Sequence, residues 1–263
     1  MSSGYVHGHH ESVLRSHRTR TAENSAAYLL EHLSSGMSLL DVGSGPGTIT
    51  VDLARRVGNV TALEMSEDAI ALTRAEAERQ GVTLEYCVGD IHSLDLPDDS
   101  FDVVHAHQVL QHLADPVQAL REMRRVCRPG GLVAARDSDY HGFVWAPADP
   151  LLDRWLELYD TAARAKGGEP DAGRHLLRWA REAGFTEVTA TSSTWCWSTP
   201  ETREWWGDMW ADRIRSSAVA DQILDAGLAT TDELAEISRA WQRWAADRDG
   251  WMSVLHGEIL ARA

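Results

Sequence analysis

Apolar residues in the first half of the chain follow two alternating patterns. Residues 37–42 form a short run that is apolar apart from Ser38 and Asp41, as expected for a buried strand. The next segment carries apolar residues at helical spacing, namely Ile49, Val51, Leu53, Ala54 and Val57. Further strands are predicted over residues 59–64, 82–88, 101–106 and 132–135, with helices between them. This alternation predicts an α/β fold built on a mostly parallel sheet.

A glycine-rich turn joins the first predicted strand to the first predicted helix. Gly43 and Gly45 allow the backbone to approach a ligand closely, because no Cβ stands in the way. The start of the helix adds N–H groups that have no partner within the helix. We therefore predict a ligand site at this edge of the sheet. Its residues include Asp41, Gly43, Ser44 and Gly45.

Acidic residues end the next two predicted strands. Glu64 closes the second strand about 20 residues after the first glycine, the spacing of a carboxylate that binds both ribose hydroxyls. Asp90 follows the third strand, where it can accept a hydrogen bond from the exocyclic amine of an adenine. Met65 and Ile91 stand beside these acids and can enclose the ring. Three strand ends together predict a site for an adenosine-containing ligand.

These features belong to a longer set of residues in a fixed order. The set comprises residues 39–47, Glu64, Gly89 with Asp90, residues 101–104 with Leu110 and His112, and residues 128–131. In order and spacing it resembles the class I S-adenosylmethionine-dependent methyltransferases, in particular the branch related to the C-methyltransferases of ubiquinone and menaquinone biosynthesis. The resemblance implies S-adenosylmethionine as the cofactor and methyl transfer as the activity, and it leaves the acceptor open.

The resemblance also implies an architecture. We expect a doubly wound, seven-stranded, mostly parallel sheet of the Rossmann-like methyltransferase type, whose last strand is antiparallel. Residues 1–36 are expected to form a helical lid and residues 37–198 the cofactor-binding core. A helical insert on the substrate side is expected over residues 199–250, followed by the last strand over residues 251–263.

The segment after the fourth strand supplies candidates for the transfer site. In the resembled families this place contacts the methionine part of the cofactor and faces the acceptor, which makes His107 a cofactor contact and Gln108 an acceptor contact. A neutral imidazole at His107 or His112 can take a proton from an acceptor, so both are catalytic candidates. A backbone hydrogen bond is the alternative role for His107, and fixing the turn is the alternative for His112.

The loop after the fifth strand reaches the same edge of the sheet. It carries Asp139, Tyr140 and His141, and polar or aromatic groups at that edge are placed to meet a ligand. We predict that Asp139 and Tyr140 contact the acceptor and that His141 is catalytic.

Residues 21–32 carry a helical apolar stripe and predict a single helix that packs on the sheet. The polar stretch ahead of it includes His17, Arg18 and Arg20. If this stretch folds over the cofactor as the resembled lids do, these three residues can contact an anionic acceptor or the cofactor carboxylate. A solvated terminus is the alternative. The histidines before residue 11 lack carboxylates or cysteines at ligand spacing, so no metal site is predicted.

All eleven tryptophans lie after residue 140, which separates a general cofactor core from a specialised second half. Trp205, Trp206 and Trp210 give the insert a broad apolar face. We predict that Trp206 contacts a flat or cationic acceptor through stacking or cation–π contact. The acceptor is then an aromatic, heteroaromatic or amine-bearing metabolite. Packing within a small helical subdomain is the alternative for each ring.

The charge and cysteine content narrow the setting. Asp and Glu outnumber Lys and Arg by 40 to 25, and this acidic balance disfavours nucleic acid as a partner. The three cysteines lie far apart without metal-ligand spacing, as in reduced proteins. No apolar run approaches the roughly 20 residues of a membrane span. We expect a cytoplasmic protein that binds no membrane, acts on a small molecule and is a monomer or homodimer.

Two other functions share part of this pattern. A nicotinamide-dependent oxidoreductase also begins with a strand, a glycine turn and a helix. Its fingerprint places glycine or alanine where this chain has Thr48, and it does not explain Asp90. A protein that binds S-adenosylmethionine without catalysis would keep the same residues, so the sequence leaves that alternative open.

Overall fold

The computed structural model describes residues 19–263. The first elements are α1 (Ala22–Ser25), α2 (Ala27–Leu30), β1 (Ser38–Val42), α3 (Thr48–Val57), β2 (Asn59–Glu64), α4 (Glu67–Gln80) and β3 (Glu85–Val88). The next are β4 (Phe101–His107), α5 (Pro116–Val126), β5 (Cys127–Ser138), β6 (Val144–Ala146), α6 (Pro150–Ala165) and α7 (Ala172–Glu182). The last are β7 (Val188–Trp197), α8 (Pro200–Ser216), α9 (Ala218–Asp225), α10 (Thr231–Ala246) and β8 (Trp251–Arg262).

The strands form one sheet in the order β3-β2-β1-β4-β5-β8-β6, and β7 pairs with β8. The pairs among β1 to β5 are parallel, whereas β8 runs antiparallel to β5, β6 and β7. The predicted α/β fold, with a mostly parallel sheet and an antiparallel last strand, is confirmed. The short strand β6 makes the sheet eight-stranded where seven strands were predicted, because three residues after β5 pair with the start of β8.

The prediction of one helix over residues 21–32 is wrong. Two one-turn helices occupy this segment, and Ala26 between them has φ −137°, outside the helical range. The carbonyl of Asn24 accepts a hydrogen bond from the indole Nε1 of Trp195 at 2.7 Å. A continuous helix would need that carbonyl for its own ladder, so the tertiary contact replaces a helical hydrogen bond.

Buried side chains form three clusters. One lies between the sheet and α1 to α3, and a second lies on the opposite face beneath α5 and α7. The third is aromatic and joins α6 to α8, α9 and α10, with Trp155, Trp210 and Trp241 fully buried at its centre. The second half of the chain therefore builds a helical layer with its own core.

The register of the sheet brings several chain segments to one edge. Val42 pairs with Leu63 and Ala106, so the turn after β1 lies beside the ends of β2 and β4. His107 pairs with Arg136, which puts the end of β5 next in line. Among the helices of residues 19–263, none combines the length and the apolar character required to cross a membrane.

Candidate active site

The turn after β1 is shaped by three glycines in the left-handed region, Gly43, Gly45 and Gly47, with φ of 69°, 55° and 83°. A Cβ on Gly43 would lie 2.5 Å from Cγ2 of Val109, and a Cβ on Gly47 would lie 2.9 Å from Cα of Thr73. Larger residues would therefore clash as well as strain the backbone. The turn passes directly into α3, whose first amide groups face this edge of the sheet.

Glu64 connects the glycine turn to the end of β2. Its Oε1 accepts a hydrogen bond from the backbone N–H of Gly45 at 2.7 Å, and its Oε2 accepts one from the N–H of Met65 at 3.2 Å. Each carboxylate oxygen can accept two hydrogen bonds, so Glu64 can hold the turn and bind a hydroxyl at the same time.

Asp90 lies at the end of the neighbouring strand, β3, with 70% of its side chain exposed. Its Oδ1 accepts hydrogen bonds from the backbone N–H of His92 at 2.9 Å and from the His92 ring at 2.7 Å. The backbone hydrogen bond, followed by the ring, lowers the pKa of Asp90, so the carboxylate stays ionised. Beside these acids, Met65 is 60% exposed and Ile91 is buried.

Asp41 lies deeper than the other predicted cofactor residues, at 3% exposure. Its two carboxylate oxygens accept hydrogen bonds from the Thr50 hydroxyl at 2.5 Å and from Nδ1 of His105 at 2.7 Å. Asp41 thereby ties β1 to α3 and β4. Its direct contact with a cofactor stays a prediction, since both oxygens already bind the protein.

A cavity of about 510 Å³ lies between the edge of the sheet and the helical layer. Its floor is polar and contains Gln108, Gln111, His112 and Ser138. Its wall is aromatic and contains Tyr140, Phe143, Trp195, Trp197, Trp205, Trp206 and Trp210. Charged side chains in the lining include Arg20, Arg213 and Glu201. The size and the mixture of aromatic wall and polar floor are typical of a small-molecule site.

The comparisons with known proteins agree with this geometry. Residues 40–135 match the family described as "Methyltransferase domain". An uncharacterized methyltransferase of Schizosaccharomyces pombe, C1B3.06c, is 34% identical to this chain over 97% of the chain and 95% of its own length. The chain belongs to the class I S-adenosylmethionine-dependent methyltransferases.

Two further matches each cover only about half of the other protein or less. The ubiquinone biosynthesis O-methyltransferase of Aeromonas salmonicida is 36% identical over 37% of this chain and 42% of its own. Phosphoethanolamine N-methyltransferase 2 of Haemonchus contortus, solved with phosphomonomethylethanolamine and S-adenosylhomocysteine, has a TM-score of 0.58 at 17% identity. The alignment covers 91% of this chain and 53% of that one, and it supports the fold alone.

Four of the predicted acceptor-side residues of the methyltransferase meet in the cavity: Gln108, His112, Tyr140 and Trp206. Gln108 has φ +54°, a value that is uncommon for residues other than glycine. Both ends of its side-chain amide form hydrogen bonds. Its Oε1 accepts from Nη2 of Arg20 at 2.5 Å, and its Nε2 donates to Nε2 of His256 at 2.9 Å. The orientation of this amide is therefore fixed before an acceptor arrives.

His112 is held in the floor by Gln111. The Nε2 of Gln111 donates to Nε2 of His112 at 3.1 Å, and the Oε1 of Gln111 accepts from the Ser138 hydroxyl at 2.5 Å. Burial, with a smaller contribution from the charge of Arg20, lowers the pKa of His112 to about 3. The imidazole is therefore neutral at physiological pH and is a weak base, although its role as a catalyst stays a prediction.

His107 does not line the cavity. It is 6% exposed and lies behind Trp195, with 5.8 Å between the ring centroids, and neither ring nitrogen has a hydrogen-bond partner among residues 19–263. Burial is the main reason why its pKa lies well below the usual value, and the charges of Arg20 and Arg136 lower it further. Its predicted contacts with cofactor and acceptor stay predictions that this placement does not favour.

Asp139 and His141 also lie outside the cavity lining. Buried Asp139 forms a two-pronged ion pair with Arg174, whose Nε lies 2.6 Å from Oδ2. Nδ1 of His141 bonds to both oxygens of Asp171, at 2.8 and 3.0 Å. Both side chains thus bind α7 or the residue that precedes it. His17 and Arg18 lie outside the described residues, so their roles stay predictions.

Most of the cavity residues are absent from the sequence prediction of the site, among them Gln111, Ser138, Trp195, Trp197 and Arg213. Trp195 and Trp197 alternate at the end of β7, and this spacing of two is the signal that would have placed them on one face. Arg213 lies one helical turn after Trp210 on α8, at a spacing that puts both on the same face. Gln111 and Ser138 carry no comparable pattern.

Proposed function

We propose that this methyltransferase moves a methyl group from S-adenosylmethionine to a small molecule bound in the aromatic cavity. The observation that supports the proposal is the shared edge of the sheet. The glycine turn follows β1, Glu64 is the last residue of β2, and Asp90 comes shortly after β3, while Gln108 follows β4 and lines the cavity. A nucleoside site and an acceptor site therefore lie side by side.

The residues present fit the nucleoside part of the cofactor. Glu64 ends β2 and pairs with Val88, and Asp90 comes two residues after Val88, so both carboxylates stand at the same edge of the sheet. Both side chains are acceptors, as ribose hydroxyls and an adenine amine require. When bound, S-adenosylmethionine supplies a methyl group on a charged sulfur, an electrophile that needs no activation by the protein.

The protein's own contribution is orientation and exclusion of water. Gln108 is held by Arg20 and His256, and Gln111 is held by Ser138, so the polar floor is already ordered. The aromatic wall excludes water from the space above the polar floor. Correct positioning of two reactants can supply about 7 to 11 kcal/mol of the barrier, whereas a general base typically adds a factor of about 10² to 10⁴. A strong base in the cavity is therefore not required.

The test begins with cofactor binding measured by calorimetry. We expect S-adenosylhomocysteine to bind with a stoichiometry of one per chain, and the oxidised nicotinamide dinucleotide to give no heat of binding. Transfer of labelled methyl groups from S-adenosylmethionine to a panel of aromatic and amine-bearing metabolites then tests turnover. Failure to bind S-adenosylhomocysteine would overturn the proposal, and binding without transfer to any acceptor would favour a non-catalytic binding protein.

A further inference from the structure

Two rings of the cavity wall already have arginine guanidinium groups over them. Trp195 has the guanidinium of Arg136 at 4.8 Å from its ring centroid and that of Arg20 at 5.6 Å. Trp210 has the guanidinium of Arg213 at 4.7 Å. These rings therefore have little remaining attraction for a cationic acceptor, because their electron-rich faces already interact with cations.

Four other rings of the wall take part in stacks. Trp197 and Trp206 stack with their centroids 3.8 Å apart, and Tyr140 stacks on Phe143 at 4.5 Å and on Tyr159 at 4.1 Å. Each stack hides one face of each ring that takes part in it, and the edge of an aromatic ring carries the positive part of its quadrupole. The stacks therefore reduce the area of electron-rich ring face that is left to attract a cation.

The charged groups that line the cavity are mostly positive. Arg213 is 5% exposed. Burial raises the pKa of Tyr140, and the positive charges of Arg213 and Arg20 oppose that rise. Among the described residues of the lining, Glu201 supplies the carboxylate. It is exposed in the first turn of α8. The described lining of this cavity in an acidic protein thus carries two guanidinium groups, Arg20 and Arg213, and one carboxylate.

We propose that the acceptor is a flat molecule that carries an oxyanion, a carboxylate or a phenolate, and that Arg20 and Arg213 bind this group. The inference rests on the proposed function and narrows it, since it disfavours the amine-bearing acceptors. A guanidinium matches an oxyanion in geometry and charge, and a buried pair of this kind is stronger than a neutral hydrogen bond. Ring edges and the amide N–H groups of the floor add to the preference for an electron-rich ligand.

The test compares three probes of one shape: 2-naphthoate, 2-naphthylmethanol and 2-naphthylmethylammonium. Calorimetry is performed on the full chain at neutral pH with saturating S-adenosylhomocysteine. We expect 2-naphthoate to bind at least about tenfold more tightly than the alcohol, and the ammonium compound to bind most weakly. A second pair, 4-nitrophenolate against 4-nitroanisole, is compared at mildly alkaline pH, where the phenol is fully ionised, and tests a phenolate in place of a carboxylate. A preference for either anion supports the inference.

Variants assign the preference to the arginine. Arg213→Met should remove the advantage of 2-naphthoate over the alcohol, at least about a tenfold change, while the affinity for the alcohol stays within about twofold. Arg215→Met is the matched control, since Arg215 is exposed on the same helix, and it should change neither affinity. Arg20→Met provides a second test on a different element if Arg213→Met does not fold.

Three results would overturn the inference: tighter binding of the ammonium probe, no binding of either anion, or an unchanged preference in both arginine variants. Each would leave the proposed function intact as long as S-adenosylhomocysteine still binds. Loss of cofactor binding in the unaltered protein is the separate result that overturns the proposed function itself.

Discussion

At the scale of single residues, the acids near the site differ in what they bind. Asp41 and Asp139 are buried and bonded to protein groups, so they hold strands and helices in place. Glu64 bonds the backbone of the glycine turn, and Asp90 is exposed. Asp137 is fully buried, and its Oδ2 has no hydrogen-bond partner among the described residues. Mutation of Glu64 is therefore expected to change cofactor binding, whereas mutation of Asp137 is expected to change how the stability depends on pH.

Glu64→Ala should weaken cofactor binding while the fold persists. Two or more hydrogen bonds to an ionised carboxylate are lost, so we expect the dissociation constant of S-adenosylhomocysteine to rise roughly tenfold to a hundredfold. Calorimetry measures the change, and Glu67→Ala on the exposed start of α4 is the control. An unchanged dissociation constant would remove Glu64 from the ribose site.

Asp137 should make the stability depend on pH. Burial raises its pKa from 3.8 to about 7, although hydrogen bonds from the backbone of Gln111 and Leu110 oppose the rise. From about pH 4 to about pH 7 the folded protein keeps this proton and the unfolded chain does not. The stabilisation is therefore present at low pH, and the free energy of unfolding falls by up to about 1.4 kcal/mol per pH unit as the pH rises through that window.

Asp137→Asn removes this titration. Urea unfolding across the same pH window should give a flatter profile than that of the unaltered protein. Asp153→Asn, at an exposed position of α6, should keep the original slope. Parallel profiles for the unaltered protein and Asp137→Asn would mean that Asp137 titrates like an exposed carboxyl.

At the scale of elements, α7 packs against β8 through glycine. A Cβ on Gly257 would lie 2.0 Å from the carbonyl oxygen of Gly173 in the first turn of α7. Gly257→Ala should force α7 away from the sheet and lower the free energy of unfolding by roughly 3 kcal/mol, the upper end of the cost of overpacking. Urea unfolding measures it. In the control Gly89→Ala, the added Cβ is 3.9 Å from Leu63 and the loss should stay below about 1 kcal/mol.

The elements also explain how far the sequence predicts the structure. The glycine turn, Glu64 and Asp90 are local features of strand ends, so apolar pattern and spacing are sufficient to identify them. The side chain of His107 lies on the same face of β4 as His105, because alternate residues of a strand share a face. That face is covered by α1 and α2, where Ala22 and Leu29 are buried. Gln108, one residue later, reaches the cavity.

The break between α1 and α2 has the same kind of origin. It depends on Trp195, which is 171 residues from Asn24 in the chain and reaches it only after β7 pairs with β8. The cavity wall also combines side chains from β7, α8 and the loop after β5. Such contacts depend on the packing of distant elements, which periodicity within one element does not encode.

At the scale of the whole molecule, the helical layer is a second hydrophobic unit placed on the sheet and its flanking helices. Trp155 on α6 lies at its centre, with edge-to-face contacts to Trp210 at 4.5 Å and to Trp241 at 4.9 Å between ring centroids. It is fully buried and connects three helices. The layer therefore keeps its shape, and the cavity its wall, through contacts made mostly away from the sheet.

Trp155→Ala should lower the free energy of unfolding by about 3 to 5 kcal/mol, as expected for removing a large buried aromatic ring. Urea unfolding followed by far-ultraviolet circular dichroism provides the measurement. Trp251→Ala is the control, because Trp251 is 40% exposed at the start of β8, and it should cost less than about 1 kcal/mol. Similar losses in both variants would contradict a separate aromatic core.

The stacked pair formed by Trp197 and Trp206 has a practical consequence. The two indoles lie face to face at 3.8 Å with 15° between their planes, in the wall of the cavity proposed for the acceptor. Rings this close share their electronic excitation and produce a coupled signal in the near-ultraviolet circular dichroism. A compound that enters the cavity should disturb that coupling. The near-ultraviolet circular dichroism of the protein would then report binding without a label, and libraries of candidate acceptors could be screened with it.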